Sequence, residues 1–343
     1  MIDKLTIKNM GPINNLTWDN LSNINILVGE NGTGKTIALK ALFSALKSLE
    51  EQGVGNDNRL LKDILSEKLY WTFQPGEMGL GALVNNHNNE PLSFSMQENE
   101  KEFNYSFGKD TRKAVRNVDS SFVAPRESNS VFVPASEILS KYQIILKSRE
   151  QDRVFGFDDT EYSLVKVMQF PFRNEISQFS LEAVAKLQEF DGGKLTYNSK
   201  DNAWKFVSEK TEIPLGMLSE GVRKLTVIER LLSINYIRPG STVIIDEVEN
   251  SLHPRALCDF IDIILQLASS GIQFFISTHS YIAIKKFYVL AKEKGISIPT
   301  ASIARDNITF SNLKDGLPEN EIIKSSNEIY EKEVDLMFRS SNG

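Results

Sequence analysis

Cysteine occurs once, as Cys258, and histidine three times, as His87, His253 and His279. A single thiol makes neither a disulfide nor a thiolate cluster. Cys258 falls in a helix-like stretch, 255–268, so a buried structural thiol is expected there. Three scattered histidines form no metal cage unless the fold gathers them. No apolar run reaches the roughly 18 residues that suggest a membrane-spanning helix. The chain opens on a strand-like Lys4-Leu5-Thr6-Ile7 with no basic-then-apolar leader, so a cytoplasmic protein without membrane contact is expected. Neither charge sign dominates: 39 basic against 45 acidic residues give −6, which does not advertise a nucleic-acid binder, although a local basic patch is compatible with it. No heptad pattern is sustained through 51–210, which excludes a long coiled coil. Ordinary proportions of charged (24%) and hydrophobic (41%) residues in 343 describe a globular chain of about two domains, or one α/β unit carrying an insertion.

The strongest local pattern is Gly29-Glu30-Asn31-Gly32-Thr33-Gly34-Lys35-Thr36. Glycines let the backbone curl until successive N–H groups face phosphate oxygens, a lysine neutralises the outer phosphates, and a hydroxyl reaches Mg²⁺. Gly29, Asn31, Gly32, Thr33, Gly34, Lys35 and Thr36 are therefore candidate nucleotide contacts. The flanks agree. Asn23 to Val28 reads as a buried strand, and Thr36 to Leu49 carries apolar residues at helical spacing, so the triphosphate of ATP would sit at a helix N-terminus.

Three later segments extend the pattern. Ser241 to Glu247 is a β-branched apolar run ending in two carboxylates, as a buried parallel strand reaching a ligand site would. Asp246 is placed to hold Mg²⁺ and Glu247 to orient or deprotonate the attacking water. Gln273 to Ser280 repeats the design, with His279 at the strand end. The spacing leaves room for one crossover helix and a return to a parallel neighbour, from which His279 could reach a γ-phosphate. Ser219 reads as the N-cap of an amphipathic helix containing Leu225, Ile228 and Leu232.

Elsewhere, Leu69–Phe73, Leu92–Met96 and Glu102–Phe107 read as strands, and Asn85–Asn89 as a surface turn. Val131–Val133 reads as a buried strand with a helix from Ser136 onward. Glu161 to Phe190 is helical in pattern with a break at Pro171. Leu195–Tyr197 and Trp204–Val207 suggest a hairpin around 198–202.

In order and type, the four motif segments resemble the nucleotide-binding head of the ABC-type ATPases. The nearer likeness is to the branch of SMC proteins, RecF-like repair proteins and the overcoming-lysogenization-defect family. The resemblance rests on 1–50 and 210–310, helped by the opening Leu5 to Ile13 strand and turn and by Glu249-Asn250-Ser251-Leu252-His253-Pro254. It implies a P-loop α/β fold with a mostly parallel sheet, an ATPase core in 1–50 and 210–343, and a globular α+β insertion in 51–209. It also implies a head-to-tail homodimer around two ATP molecules, in which Ser219 and Gly221 touch the partner's γ-phosphate, Glu247 is the catalytic base and His279 the switch. A glutamine completing the Mg²⁺ shell is expected from the same likeness. Gln74, after the strand-like Leu69–Phe73, is the candidate, and Gln143 is the alternative. His253 reads as a turn residue.

The resemblance suggests a prokaryotic anti-phage defence switch that controls a separate nuclease or toxin, since the stretch after His279 is short for an appended nuclease. The alternative is a repair or chromosome-associated ATPase that clamps DNA through Lys109, Arg112, Lys113 and Arg116, or through Lys141, Lys147, Arg149 and Arg153. A transporter energy subunit fits less well, because Leu218-Ser219-Glu220-Gly221-Val222 departs from the transporter signature at Glu220 and Val222.

Overall fold

The computed structural model describes residues 1–86, 89–172, 176–198, 203–208, 211–305 and 307–340. The chain begins with β1 (Ile2–Met10), β2 (Ile13–Trp18) and β3 (Ile24–Gly29), then α1 (Lys35–Glu51) and α2 (Leu61–Phe73). β4 (Leu92–Glu98), β5 (Lys101–Phe107), β6 (Asn117–Ser120) and β7 (Ser130–Val133) follow. A helical region holds α3 (Tyr142–Lys147), α4 (Asp159–Met168) and α5 (Gln178–Asp191), before β8 (Gly193–Asn198), β9 (Ala203–Ser208) and β10 (Glu212–Pro214). The last part runs α6 (Glu220–Ser233), β11 (Thr242–Ile245), α7 (Pro254–Ser269), β12 (Gln273–Thr278), α8 (Tyr281–Lys294), β13 (Pro299–Ile303), β14 (Ile308–Asn312) and α9 (Glu321–Ser340).

Six of these strands form the sheet that carries the site, in the order β14-β13-β3-β12-β11-β7. All pairs are parallel except the edge strand β14. Its central strands β3, β12 and β11 are buried at every position because both faces are covered. Ile24, Ile26 and Val28 point into one core with α6, α7 and α8, whereas Leu27, Ile244 and Phe275 point into the other with α1. That second core is shared with an antiparallel sheet ordered β2-β1-β4-β5-β6. α1 is thus buried between two sheets. Ala38, Leu39, Ala41, Leu42, Phe43, Ala45, Leu46 and Leu49 are all enclosed, as expected of a helix that is apolar on nearly every side.

Several sequence expectations change. The segment 51–209 is not one inserted body: β4 pairs with β1 and β7 pairs with β11, so its strands complete both main sheets. α3 to α5 and the small sheet β10-β9-β8 lie outside both main sheets but pack into the first core through Val165, Leu187, Leu195 and Trp204. Leu69–Phe73 is the end of α2, not a strand. Ile64, Leu65, Leu69 and Thr72 are buried at helical spacing, and packing on α1 overrides the β-propensity of Tyr70, Trp71 and Phe73. The helix after β7 begins at Tyr142, following a short 3₁₀ turn, because Glu137 accepts from the Leu139 and Ser140 N–H groups and holds the chain in a turn. Cys258 is half-buried. The Leu195/Trp204 hairpin is present as β8–β9, with 199–202 outside the described residues. The 85–89 turn lies partly outside them, at His87 and Asn88.

Candidate functional site

The strand β3 delivers the chain to the phosphate loop at a point where no side chain fits. A Cβ on Gly29 would stand 2.2 Å from the Ile303 carbonyl oxygen of the neighbouring β13. At the other end, Gly34 caps α1 with φ of 105°, a backbone that disfavours any L side chain, while Ile13 Cγ1 lies 2.8 Å from where its Cβ would be. Between them Asn31 and Gly32 form the exposed tip, and the Thr33 hydroxyl donates to Glu30 O at 2.9 Å. Lys35 is 5% exposed and its Nζ donates to Gly29 O and Glu30 O, both at 2.7 Å, so the ammonium is folded back over the loop. Burial lowers its pKa below the ordinary lysine value, opposed by the nearby Glu247, Asp246, Glu249 and Glu30 carboxylates.

The carboxylate strand β11 is not the neighbour of β3, since β12 lies between them. Asp246 nevertheless reaches the loop: Thr36 Oγ1 donates to its two oxygens at 3.1 and 2.9 Å. From β12, Ser277 Oγ donates to Asp246 Oδ1 at 2.6 Å and accepts from the Glu247 N–H at 2.8 Å. Glu247 has a left-handed backbone, φ 47°, which turns the chain out of the sheet. His279 Nδ1 lies 3.8 Å from Glu247 Oε1 and 3.3 Å from Glu249 Oε1. Glu249 also accepts from the His279 N–H at 2.7 Å and the Thr278 hydroxyl at 2.8 Å, so it fixes the end of β12. Glu247 and His279 are partly exposed, at 30% and 44% of their side chains, and thus accessible to a water and a phosphate.

The expected residues on β3, β11 and β12 therefore converge. Ser219 is the N-cap of α6, accepting from Val222 N at 3.3 Å, and is exposed; Gly221 is buried against Ser251, whose carbonyl oxygen would be 2.4 Å from a Cβ there. Gln74 is not part of this cluster. It closes α2 in a left-handed conformation, its Nε2 donates to Phe157 O at 2.8 Å and its Oε1 accepts from Gly156 N at 3.3 Å. The reason for choosing it, a preceding strand, is absent. Gln143 lies exposed on α3. His253 caps α7, its Nδ1 accepting from Arg255 N at 3.2 Å, as a turn residue should.

Three contributors escaped the sequence reading. Ser277 was visible as a small polar residue late in an apolar strand, and Glu249 only as the opening residue of the Glu249–Pro254 stretch, without a contact assigned to it. Lys224 is 4% exposed on α6 and donates to Glu247 O at 2.7 Å. Burial lowers this ammonium to about 8, against the pull of Glu249, Asp246 and Glu247. Its sequence signal was a lysine on the apolar side of an amphipathic helix.

Hard oxygen donors at Thr36 and Asp246, set against a curled glycine loop at a helix start, suit Mg²⁺ held jointly with substrate phosphates. Little covalent chemistry is asked of such a site beyond holding phosphates, cation and water in line. The phosphate loop, the carboxylate strand and the parallel sheet between them are those of a P-loop ATPase.

Comparison with known proteins agrees. The family described as "AAA domain, putative AbiEii toxin, Type IV TA system" matches residues 24–284, and the chain belongs to it. A Helicobacter pylori (strain ATCC 700392 / 26695) protein named ATP/GTP phosphatase is 23% identical over 344 residues, covering 88% of this chain and 91% of that protein. The Smc head solved with the C-winged helix domain of ScpA superposes with a TM-score of 0.54 at 16% identity, covering 91% of this chain and 97% of that one. A Pyrococcus furiosus Smc head with an extended coiled coil, bound to the C-terminal domain of ScpA, gives 0.52 at 13% identity, covering 96% and 99%. These two likenesses concern the fold.

Proposed function

We propose that the protein is an ATP-gated switch in which two copies close head-to-tail over ATP and thereby hold or release a separate effector in a prokaryotic defence system. The observation that carries the dimer is the exposed N-terminus of α6. Ser219 caps a 14-residue helix whose first-turn amides and positive dipole end favour an anion, and it stands on a different element from the phosphate loop. Each α6 terminus would meet the γ-phosphate cradled by Gly29–Thr36 of the other copy. Lys35 would neutralise the outer phosphates, Glu247 would orient and deprotonate water, and His279, held by Glu249, would contact the transferred group. Mg²⁺, bound by Thr36 and Asp246, would neutralise charge on the phosphate oxygens. The effector reading draws on the family's toxin–antitoxin description, and ATP as substrate on the relative's name.

Light scattering with nucleotide tests this directly. Glu247→Gln should bind ATP, lose turnover by about 100-fold or more and accumulate as a dimer, because base catalysis typically contributes 10²–10⁴-fold. Lys35→Ala should lose both binding and dimer. A Glu247→Gln protein that stays monomeric with bound ATP would remove the dimer from the mechanism.

The alternative, a DNA-bound ATPase, has support in the loop between β5 and β6. Arg112, Lys113 and Arg116 are exposed there. The loop is held rigidly: Leu80 and Gly81 N–H groups donate to Arg112 O and Thr111 O at 2.9 and 2.7 Å, and a Cβ on Gly81 would meet Lys109 O at 2.0 Å. The other basic run is weaker support, since Arg149 pairs with Asp159 at 2.8 Å and stacks 3.6 Å over Trp71. Duplex DNA affinity falling steeply with salt would favour this reading, and none at low salt would exclude it.

A further inference from the structure

The first turns of α6 are bolted to the loop that carries Glu247 in the same chain. A Cβ on Gly221 would stand 2.4 Å from Ser251 O, so the two backbones are in direct contact. Ser251 Oγ donates to Glu220 Oε2 at 2.9 Å. Lys224, one turn further along, sends its ammonium beneath the loop to Glu247 O at 2.7 Å. That carbonyl belongs to a residue with a left-handed φ of 47°, a backbone that a non-glycine residue adopts at a cost. Its peptide N–H is held from the other side by Ser277 Oγ at 2.8 Å. Glu247 is therefore gripped between β12 and α6.

We infer that Lys224 is a positioning residue for the catalytic carboxylate: it ties Glu247 to the first turns of α6, so that a ligand engaging Ser219 and Gly221 sets the glutamate of that same subunit. The inference rests on the proposed dimer for the source of that ligand, the ATP held by the other copy. Occupancy of one site would then order the base of the other, and the two sites would turn over in a linked manner. The ammonium is suited to this task because it is nearly enclosed and its carbonyl contact is directional, whereas a neutral side chain would cut the tie to α6 and leave the Glu247 carbonyl to Asn250 N, which donates to it at 2.9 Å. That second donor also means removing the ammonium leaves no orphaned carbonyl, so the fold is expected to survive.

The test uses the full chain with Lys224→Met, which keeps the length of the side chain, and Lys224→Arg, which restores a donor. Two readouts are needed: steady-state ATP turnover beside the affinity for a fluorescent ATP analogue, and amide hydrogen exchange across 246–252 with and without ATP. Lys224→Met should keep affinity within about twofold, lose kcat by about tenfold and lose ATP-dependent protection of 246–252. Lys224→Arg should recover much of both. Lys224→Met with wild-type kcat and wild-type protection would overturn the inference, as would a parallel loss of affinity, turnover and thermal stability. Should the wild type prove unable to hydrolyse ATP, the proposed function fails. The exchange data still decide the inference: unchanged protection at 246–252 in Lys224→Met refutes it, and lost protection supports it.

Discussion

Arg126 is the joint between the two main sheets, and removing it should be among the most damaging single changes away from the nucleotide site. Its Nε and Nη2 donate to the two oxygens of Glu98 on β4, each at 2.8 Å. Nη2 also donates to Thr242 Oγ1 on β11 at 2.9 Å, and Nη1 to Ser128 O at 2.7 Å. Both partners are buried, with side chains 3% and 10% exposed. Arg126→Met leaves the enclosed Glu98 with the more distant Met1 ammonium, at 3.9 Å, in place of two close hydrogen bonds, and breaking such a buried pair costs about 3–5 kcal/mol because desolvation is then poorly offset. Glu50 suffers less, since Lys47 holds it at 2.7 Å. Spread over 343 residues at about 2.1 cal/mol/K each, this corresponds to a fall in Tm of about 4–7 °C. Calorimetry would measure it. Adding Glu98→Gln should return about half the loss, because the stranded charge is what costs most. A single-variant shift below about 1 °C, or a double variant worse than Arg126→Met alone, would refute the reasoning.

Two further outcomes follow from the site. Ser277→Ala removes a hydrogen bond to the Asp246 carboxylate, of a kind worth about 1.5–3 kcal/mol, and a neutral one from Glu247 N, worth about 0.5–1.5 kcal/mol. Turnover should drop by about 10–100-fold with nucleotide affinity much less affected, as measured by kcat beside equilibrium titration, and an unchanged kcat would remove Ser277 from the site. Gly29→Ala forces a methyl to 2.2 Å from Ile303 O, so strand β13 must shift at a cost of about 1–3 kcal/mol. Thermal unfolding and nucleotide titration should both show the loss, and wild-type values in both would contradict the contact.

Much of the site was legible because its motifs are local. A phosphate loop is three glycines, a lysine and a threonine within eight consecutive residues, and Asp246, Glu247 and His279 sit at the ends of apolar runs that read as buried strands. The strand reading failed at Leu69–Phe73, where a cluster of aromatic residues imitated β-propensity while the contacts that make it helical lie on α1. The strand-end placing of Gln74 went with it, since that residue caps α2. Lys224 and Glu249 were on the page as letters, but their work lies in contacts to Glu247 O and His279 N, which no spacing rule announces.

The sequence by itself determined the local groups on which the proposed chemistry rests: the glycine-rich loop at Gly29–Thr36, carboxylates at 246 and 247, and a strand ending in a histidine. These depend on backbone geometry and side-chain type over a few neighbouring residues. Only the tertiary structure decided that β4 to β6 join β1 and that β7 joins β11, so that α1 is closed in from both sides, because pairing partners are chosen by which buried faces meet across the whole chain. The same holds for the grip on Glu247. It forms where Lys224 of α6 and Ser277 of β12, distant in sequence, meet the carbonyl and the N–H of one left-handed residue.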